Sequence, residues 1–302
     1  VINNKKKERK ADLARTKAKR KQGAFAQQTR KKRRMKTNAL RRALQDITKR
    51  KAAGEDGITV DLIKDGGDVM LEKLAALYTQ CLTTSSVPES WKNANIILIH
   101  KKGDVKELKN YRPISLLSVL YKIFTKIISN RIRATLDFSQ PREQAGFRKG
   151  YSTMDHIHAI NQVIEKSAEY NQPLYMAFID YEKAFDSVEI PAVIEALRNQ
   201  GVEEAYVNIL ANIYKDSTAT LVLHKKSRKI PIKKGVKQED TISAMLVTAC
   251  FEQVFKLLDW ERLERGSTAN ISATFGLQMT LSYSATMETN YNKRLRSLTE
   301  KV

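Results

Sequence analysis

FIDYEKAFDSV, residues Phe178 to Val188, decides how the rest of the chain is read. The run from Leu174 to Ile179 is almost unbroken in apolar character, is bounded by Pro173, and is too short for an independent helix. It therefore reads as a buried central strand. The strand ends on Asp180, and a carboxylate at the mouth of an apolar strand needs a cationic partner, of which a divalent metal ion is one. Phe185 and Asp186 follow. From the residues alone, the same stretch also reads as a strand ending in a turn, with Asp186 or Ser187 helping to cap a helix that Pro191 opens. The surrounding chain chooses between these readings.

Outward from this segment, the 302 residues are 42% hydrophobic, enough for one large domain or two smaller ones. Charge is very unevenly placed. Residues 1–50 hold 20 Lys+Arg against 3 Asp+Glu, which is +17 of the formal +21 and leaves +4 for the rest. Cys81 and Cys250 stand far apart, outside any CxxC or Cys/His cluster, which fits a reducing, intracellular compartment. No apolar run approaches the roughly 18 residues needed to cross a bilayer, so no membrane partner is expected. Beginning at Val1 rather than Met, the chain reads as a fragment of something longer.

Residues 5–50 mix Lys, Arg, Ala and Gln at high helix propensity, which predicts one or two exposed basic helices. The run Arg30, Lys31, Lys32, Arg33, Arg34 suits phosphate binding or nuclear import. Ala39, Leu40, Ala43, Leu44 and Ile47 recur at helical spacing, so the last turns should dock on the body. Helices are expected over about 69–82, 116–136, 153–170, 191–200, 203–214 and 245–260, and strands over 95–100, about 111–115, 174–179, and a hairpin of 218–224 with 228–234. His156 and His158 lie two apart on a helix and cannot share a face, so they make a poor metal pair.

Six strings occur in one order: RKAAGEDGI (Arg50–Ile58), KKGD with NYRPIS (Lys101–Ser115), EQAGFRKGYST (Glu143–Thr153), FIDYEKAFDSV, GVKQEDTISAML (Gly235–Leu246) and FGLQMTLSYSATM (Phe275–Met287). Together they resemble the motifs of non-LTR retrotransposon (LINE-type) reverse transcriptases, over roughly Ala39–Trp260 plus the last string. The resemblance implies an α+β, right-hand polymerase-like domain of fingers and palm, its antiparallel palm sheet packed on helices, with a basic helical arm in front. It divides the chain into an arm at 1–50, fingers and palm at 51–262, and a truncated palm remnant without a thumb at 263–302. It further implies RNA-directed DNA synthesis from deoxynucleoside triphosphates, with RNA and DNA as partners and Mg2+ as cofactor. Asp180 would be the catalytic, metal-binding carboxylate and Phe185 the gate for the sugar. Lys101 (or Lys102) and Arg112 would hold the triphosphate, as a mobile ammonium and a bidentate guanidinium can. Gln238 would touch template or nucleotide, and Arg148 and Lys149 nucleic acid.

The chain departs from the family at two places. The usual GVxQGDPLSPxL is altered at Glu239, Thr241 and Ala244, and a Glu in place of the glycine adds bulk and a repulsive charge beside phosphate. The aromatic-Ala-Asp-Asp hairpin expected after the 245–260 helix is missing, and no Asp-Asp pair occurs anywhere. Polymerisation is therefore expected to fail, leaving a nucleic-acid-binding remnant of a retroelement as the alternative reading. Ile271 to Tyr283 alternates apolar odd positions with polar or Gly even ones, which predicts a strand that pairs in the palm in place of the lost hairpin.

Overall fold

The computed structural model describes residues 34–47, 53–141, 144–179, 181, 183–223, 226–256, 271–275 and 279–283. Helices pack around a core that includes an aromatic cluster, and two sheets accompany them among the described residues. Helix α1 (Thr37–Gln45) is the docked end of the basic segment, with Leu40, Ala43 and Leu44 buried against α3 (Gly67–Thr84) and α4 (Val119–Ser139). Met35 is buried as well, its amide donating to Thr79 Oγ1 at 3.0 Å, and Arg131 donates to the Arg34 carbonyl at 3.1 Å. The apolar spacing read from the sequence is thus used in full, and residues 34–47 belong to the body. The run Arg30 to Arg33 lies outside the described residues, and Arg34 is exposed where the segment meets the body.

Between α1 and α3 lies the short α2 (Val60–Asp65), capped by Thr59 Oγ1. Tyr78 on α3, Trp91 and the α4 residues Tyr121 and Phe124 stack edge to face or tilted, with ring centroids 5.2–6.3 Å apart. Each ring in such a cluster removes a large apolar area from water and adds about 0.5–1.5 kcal/mol of ring-to-ring attraction. Gly54 in the preceding turn is required sterically, because a Cβ there would lie 2.6 Å from the Ser118 amide nitrogen at the start of α4. Gly54, part of the RKAAGEDGI string, is thus a contact point between two segments.

The first sheet runs β2-β1-β4-β5, with β1 (Asn93–His100), β2 (Tyr111–Leu116), β4 (Thr218–Leu223) and β5 (Lys226–Pro231). β1 pairs antiparallel with β2 and parallel with β4, while β4 and β5 form a hairpin closed at Leu223↔Lys226, tighter than the sequence reading. Helix α4 starts at Val119 rather than 116, because Tyr111–Leu116 is spent on β2. Helix α5 (Thr153–Glu169) begins with a capping box between Ser152 and Asp155 and buries no residue.

The strand at the centre of the sequence reading is β3 (Tyr175–Ile179), followed by the single turn α6 (Ala184–Ser187) and by α7 (Ile190–Asn199), α8 (Glu204–Tyr214) and α9 (Ser243–Lys256). Its partners are β6 (Ile271–Phe275) and β7 (Met279–Tyr283), in the order β3-β7-β6, antiparallel throughout. The expected pairing of this segment is present, as two strands instead of one. Opposed residues fall in rows Tyr175/Tyr283/Ile271, Ala177/Leu281/Ala273 and Ile179/Met279/Phe275, so every odd position lies on one face of the pleat. No helix among the described residues is long and apolar enough to cross a membrane.

Candidate nucleotide and nucleic-acid site

The short helix α6 carries Phe185 and Asp186, and the loop before α9 carries Gly235 to Asp240. Backbone bonds zip the two together: the Gly235 amide donates to the Val188 carbonyl at 2.7 Å and the Val236 amide to the Phe185 carbonyl at 2.8 Å. Gly235 has φ +90°, and a Cβ on it would stand 2.8 Å from the Asp186 carbonyl oxygen, so only glycine allows this approach. The consequence is a side-chain contact between residues 52 apart: Gln238 Nε2 donates to Asp186 Oδ1 at 2.7 Å. Asp186 does not cap the next helix. Glu189 holds that N-cap position, and Pro191 lies in the first turn.

Asp186 and Gln238 line a cavity of about 100 Å³ that is walled by Ala94 and Ile96 of β1, Pro113 and Ser115 of β2, and Tyr214, Ser217 and Lys234. Phe185 is half-buried and meets the Phe147 ring edge-on, centroids 6.1 Å apart at 88°. Phe147 sits in the left-handed region at φ +60°, a conformation that persists only when its surroundings enforce it. Arg148 supplies that enforcement. Its guanidinium donates to the carbonyls of Pro141 (2.7 Å), Gln144 (2.9 Å) and Asp137 (3.1 Å) and lies 4.9 Å from the Tyr151 ring centroid. The arginine read as a nucleic-acid contact is thus occupied in holding its own loop, while Lys149 beside it is exposed.

Beneath the Gly235–Asp240 loop is a buried polar cluster for which the sequence reading assigned no role. Asp240 is buried and accepts from the Tyr121 hydroxyl at 2.5 Å and Thr125 Oγ1 at 2.7 Å. Burial pushes its carboxyl above the usual carboxylate range, opposed by those two hydrogen bonds and the charge of Lys237. Lys237 is buried too, donating to the Trp91 carbonyl at 2.5 Å with Nζ 4.4 Å from the Tyr121 ring centroid, and burial lowers its pKa to about 8. This cluster fastens the loop to α4 and to the aromatic core. The retention of Asp240, while the glycine and both prolines of the string are replaced, is the signal in the sequence.

The other predicted residues lie apart from the cavity. Arg112 stands on β2 at the register position opposite Ile99. Lys101 and Lys102 are exposed beyond the end of β1, and Lys101 is roughly 17 Å along the strand from Ile96. Asp180 lies outside the described residues, one position past the end of β3. Among the described residues, no group of three or more His, Cys, Asp or Glu could hold a metal ion, and the Asp186 carboxylate is engaged by Gln238.

Comparison with known proteins follows the same residues. The family model described as reverse transcriptase (RNA-dependent DNA polymerase) matches residues 99–269. The chain belongs to the reverse transcriptase family. It is similar to the Pol polyprotein of the type-1 retrotransposable element R2 of Popillia japonica, at 29% identity over 74% of this chain and 30% of that protein. It is also similar to the RNA-directed DNA polymerase of the mobile element jockey of Drosophila melanogaster, at 30% identity over 65% of this chain and 22% of that protein. These and the other relatives identify a reverse transcriptase domain of the non-LTR retrotransposon type. The chain spans less than a third of the length of these two relatives. Among solved structures, apo telomerase from Candida tropicalis, truncated from its C-terminal domain, aligns with a TM-score of 0.49 at 13% identity, over 76% of this chain and 52% of that one.

Proposed function

We propose that this reverse transcriptase domain binds nucleic acid and does not polymerise DNA. The reading is carried by the pairing of β3 with the β6–β7 hairpin, in which residues 271–283 contain no Asp or Glu. Phosphoryl transfer by two metal ions about 4 Å apart needs several carboxylates aimed at one point. Magnesium is the family's cofactor, and Asp180 would be its one ligand from the β3 segment, but no Asp-Asp pair exists in the chain to complete the cage. The residues present do not fit two magnesium ions.

What remains is a surface suited to a nucleotide or template strand. Gln238, its amide anchored by Asp186, would offer its carbonyl oxygen and second N–H to a base or sugar at the cavity. Phe185, held by Phe147, would bound the sugar side, and Lys101 and Arg112 would meet phosphates further out. The test is primer extension with an RNA template, deoxynucleoside triphosphates and magnesium, alongside Asp180→Ala as the control for contaminating polymerase. Losing one preorganised electrostatic group costs on the order of 10²–10³ in rate, and losing a metal site costs more, so no extension above that control is expected. Robust extension that disappears in Asp180→Ala would overturn the reading.

A further inference from the structure

Outside the basic segment at the N-terminus, positive charge is concentrated in one place. From Ser217 to Lys237 there are seven Lys or Arg and no Asp or Glu, whereas the rest of residues 51–302 holds 27 Lys+Arg against 30 Asp+Glu. The whole positive excess of the body is therefore the β4–β5 hairpin and the segment that follows it. Among the described residues β5 has β4 as its one partner and forms the outer strand of the first sheet; Arg228 and Lys229 are exposed on it, and Lys233 and Lys234 are exposed just past its end. None of these four makes an ion pair among the described residues. Lys237, the last of the seven, is buried and engaged.

Lysines on an outer strand also guard against edge-to-edge aggregation. Lysine is the favoured guard, but the role does not require that acids be excluded, since an edge glutamate serves it too. Six cations besides the buried Lys237, with every acid excluded, exceed what edge protection asks. Position adds the second argument: the chain runs from β5 through Lys233 and Lys234 directly into Gly235–Gln238, and Lys234 itself lines the cavity beside Asp186 and Gln238. A polyanion lying along β5 would be delivered to the candidate site.

We propose that the outer strand β5 and the segment that follows it, through Arg228, Lys229, Lys233 and Lys234, form a second nucleic-acid-binding surface, which holds the phosphate backbone of a strand leading into the cavity. The proposal rests on the nucleic-acid-binding reading of the domain and adds to it a place on the body separate from residues 1–33. Its experiment uses the full chain and fluorescein-labelled single-stranded RNA, with affinity measured as a function of salt. Each neutralised phosphate contributes about −0.7 to the slope of log K against log salt for single strands, so replacing all four residues by Gln should flatten the slope by about 3. A second variant, Lys229→Glu with Lys233→Glu, keeps a charged edge that resists aggregation but repels phosphate, and it too should bind more weakly and with a flatter slope. Both variants should keep the wild-type melting temperature. Wild-type affinity and slope in the Glu variant, with wild-type protein binding RNA, would overturn the proposal and leave edge protection as the function of these lysines. Absence of RNA binding by the wild-type chain would instead remove the reading of the domain as a nucleic-acid binder, and the proposal with it.

Discussion

Glu239 adopts φ +64°, in the left-handed region where a side chain costs about 1–2 kcal/mol. The glycine usual at this place in the family therefore meets a backbone requirement, in addition to allowing close approach of nucleic acid. Glu239→Gly should stabilise the protein by about 1 kcal/mol, part of the relief being offset by the greater freedom of glycine in the unfolded chain. A melting temperature raised by about 2–4 °C is the expected reading, and an unchanged or lowered one would count against strain at this residue. Two positions earlier, Lys237 is a buried amine whose pKa falls from 10.5 to about 8 through burial. Between those values the unfolded chain keeps the proton that the folded chain has released, so stability contributed at this site rises with pH. Denaturant melts across pH 8–10 should show wild type gaining on Lys237→Met; parallel curves would show that the amine does not titrate in this window.

At the scale of elements, β7 is the central strand of the three-stranded sheet, so each of its interior amides faces a neighbour. Leu281→Pro removes one of those donors opposite Ala177 and should break the ladder locally. Loss of a backbone hydrogen bond of about 1.4 kcal/mol corresponds to roughly tenfold faster amide exchange. The expected result is at least that acceleration across Tyr175–Ile179, on a different segment from the substitution. If β3 kept its protection, β7 would not be its partner. Helix α5 presents the opposite situation: Ser152 and Asp155 define its start locally, yet Met154, Ile157, Val163 and Ile164 remain exposed. Its start is set locally by the capping box, and no residue of it is buried among the described residues.

For the whole molecule, the boundary of the basic segment matters most. Residues 34–47 bury Met35, Leu40, Ala43, Leu44 and Ile47, and Arg41 and Lys126 pair with Asp68 and Asp46 across the same seam. Removing residues 1–33 should leave the melting temperature unchanged while weakening nucleic-acid binding and its salt dependence. Removing residues 1–50 opens the core between α3 and α4, where each lost Leu or Met costs about 2–5 kcal/mol, and should unfold the domain. Equal melting temperatures for the two truncations would mean that α1 contributes nothing to the body.

Much of this organisation is local and could be read directly from the residues. The apolar spacing of Ala39 to Ile47, the run into Asp180 and the alternation from Ile271 to Tyr283 depend only on the periods of helix and strand. The hairpin shows where such reading stops. Three residues separate Phe275 from Met279, so the odd positions stay on one face whether the segment is one long strand or two that fold back, and only the pairing of β6 with β7 shows that it is the second. Contacts between distant segments carry no period at all. The sequence by itself determined which faces are apolar, where charge accumulates and which carboxylates are missing. Only the tertiary structure placed Gly54 against Ser118, Gln238 on Asp186, Arg148 on its own loop and Lys237 under Trp91, because each is an approach between segments whose backbone and polar groups must be satisfied jointly.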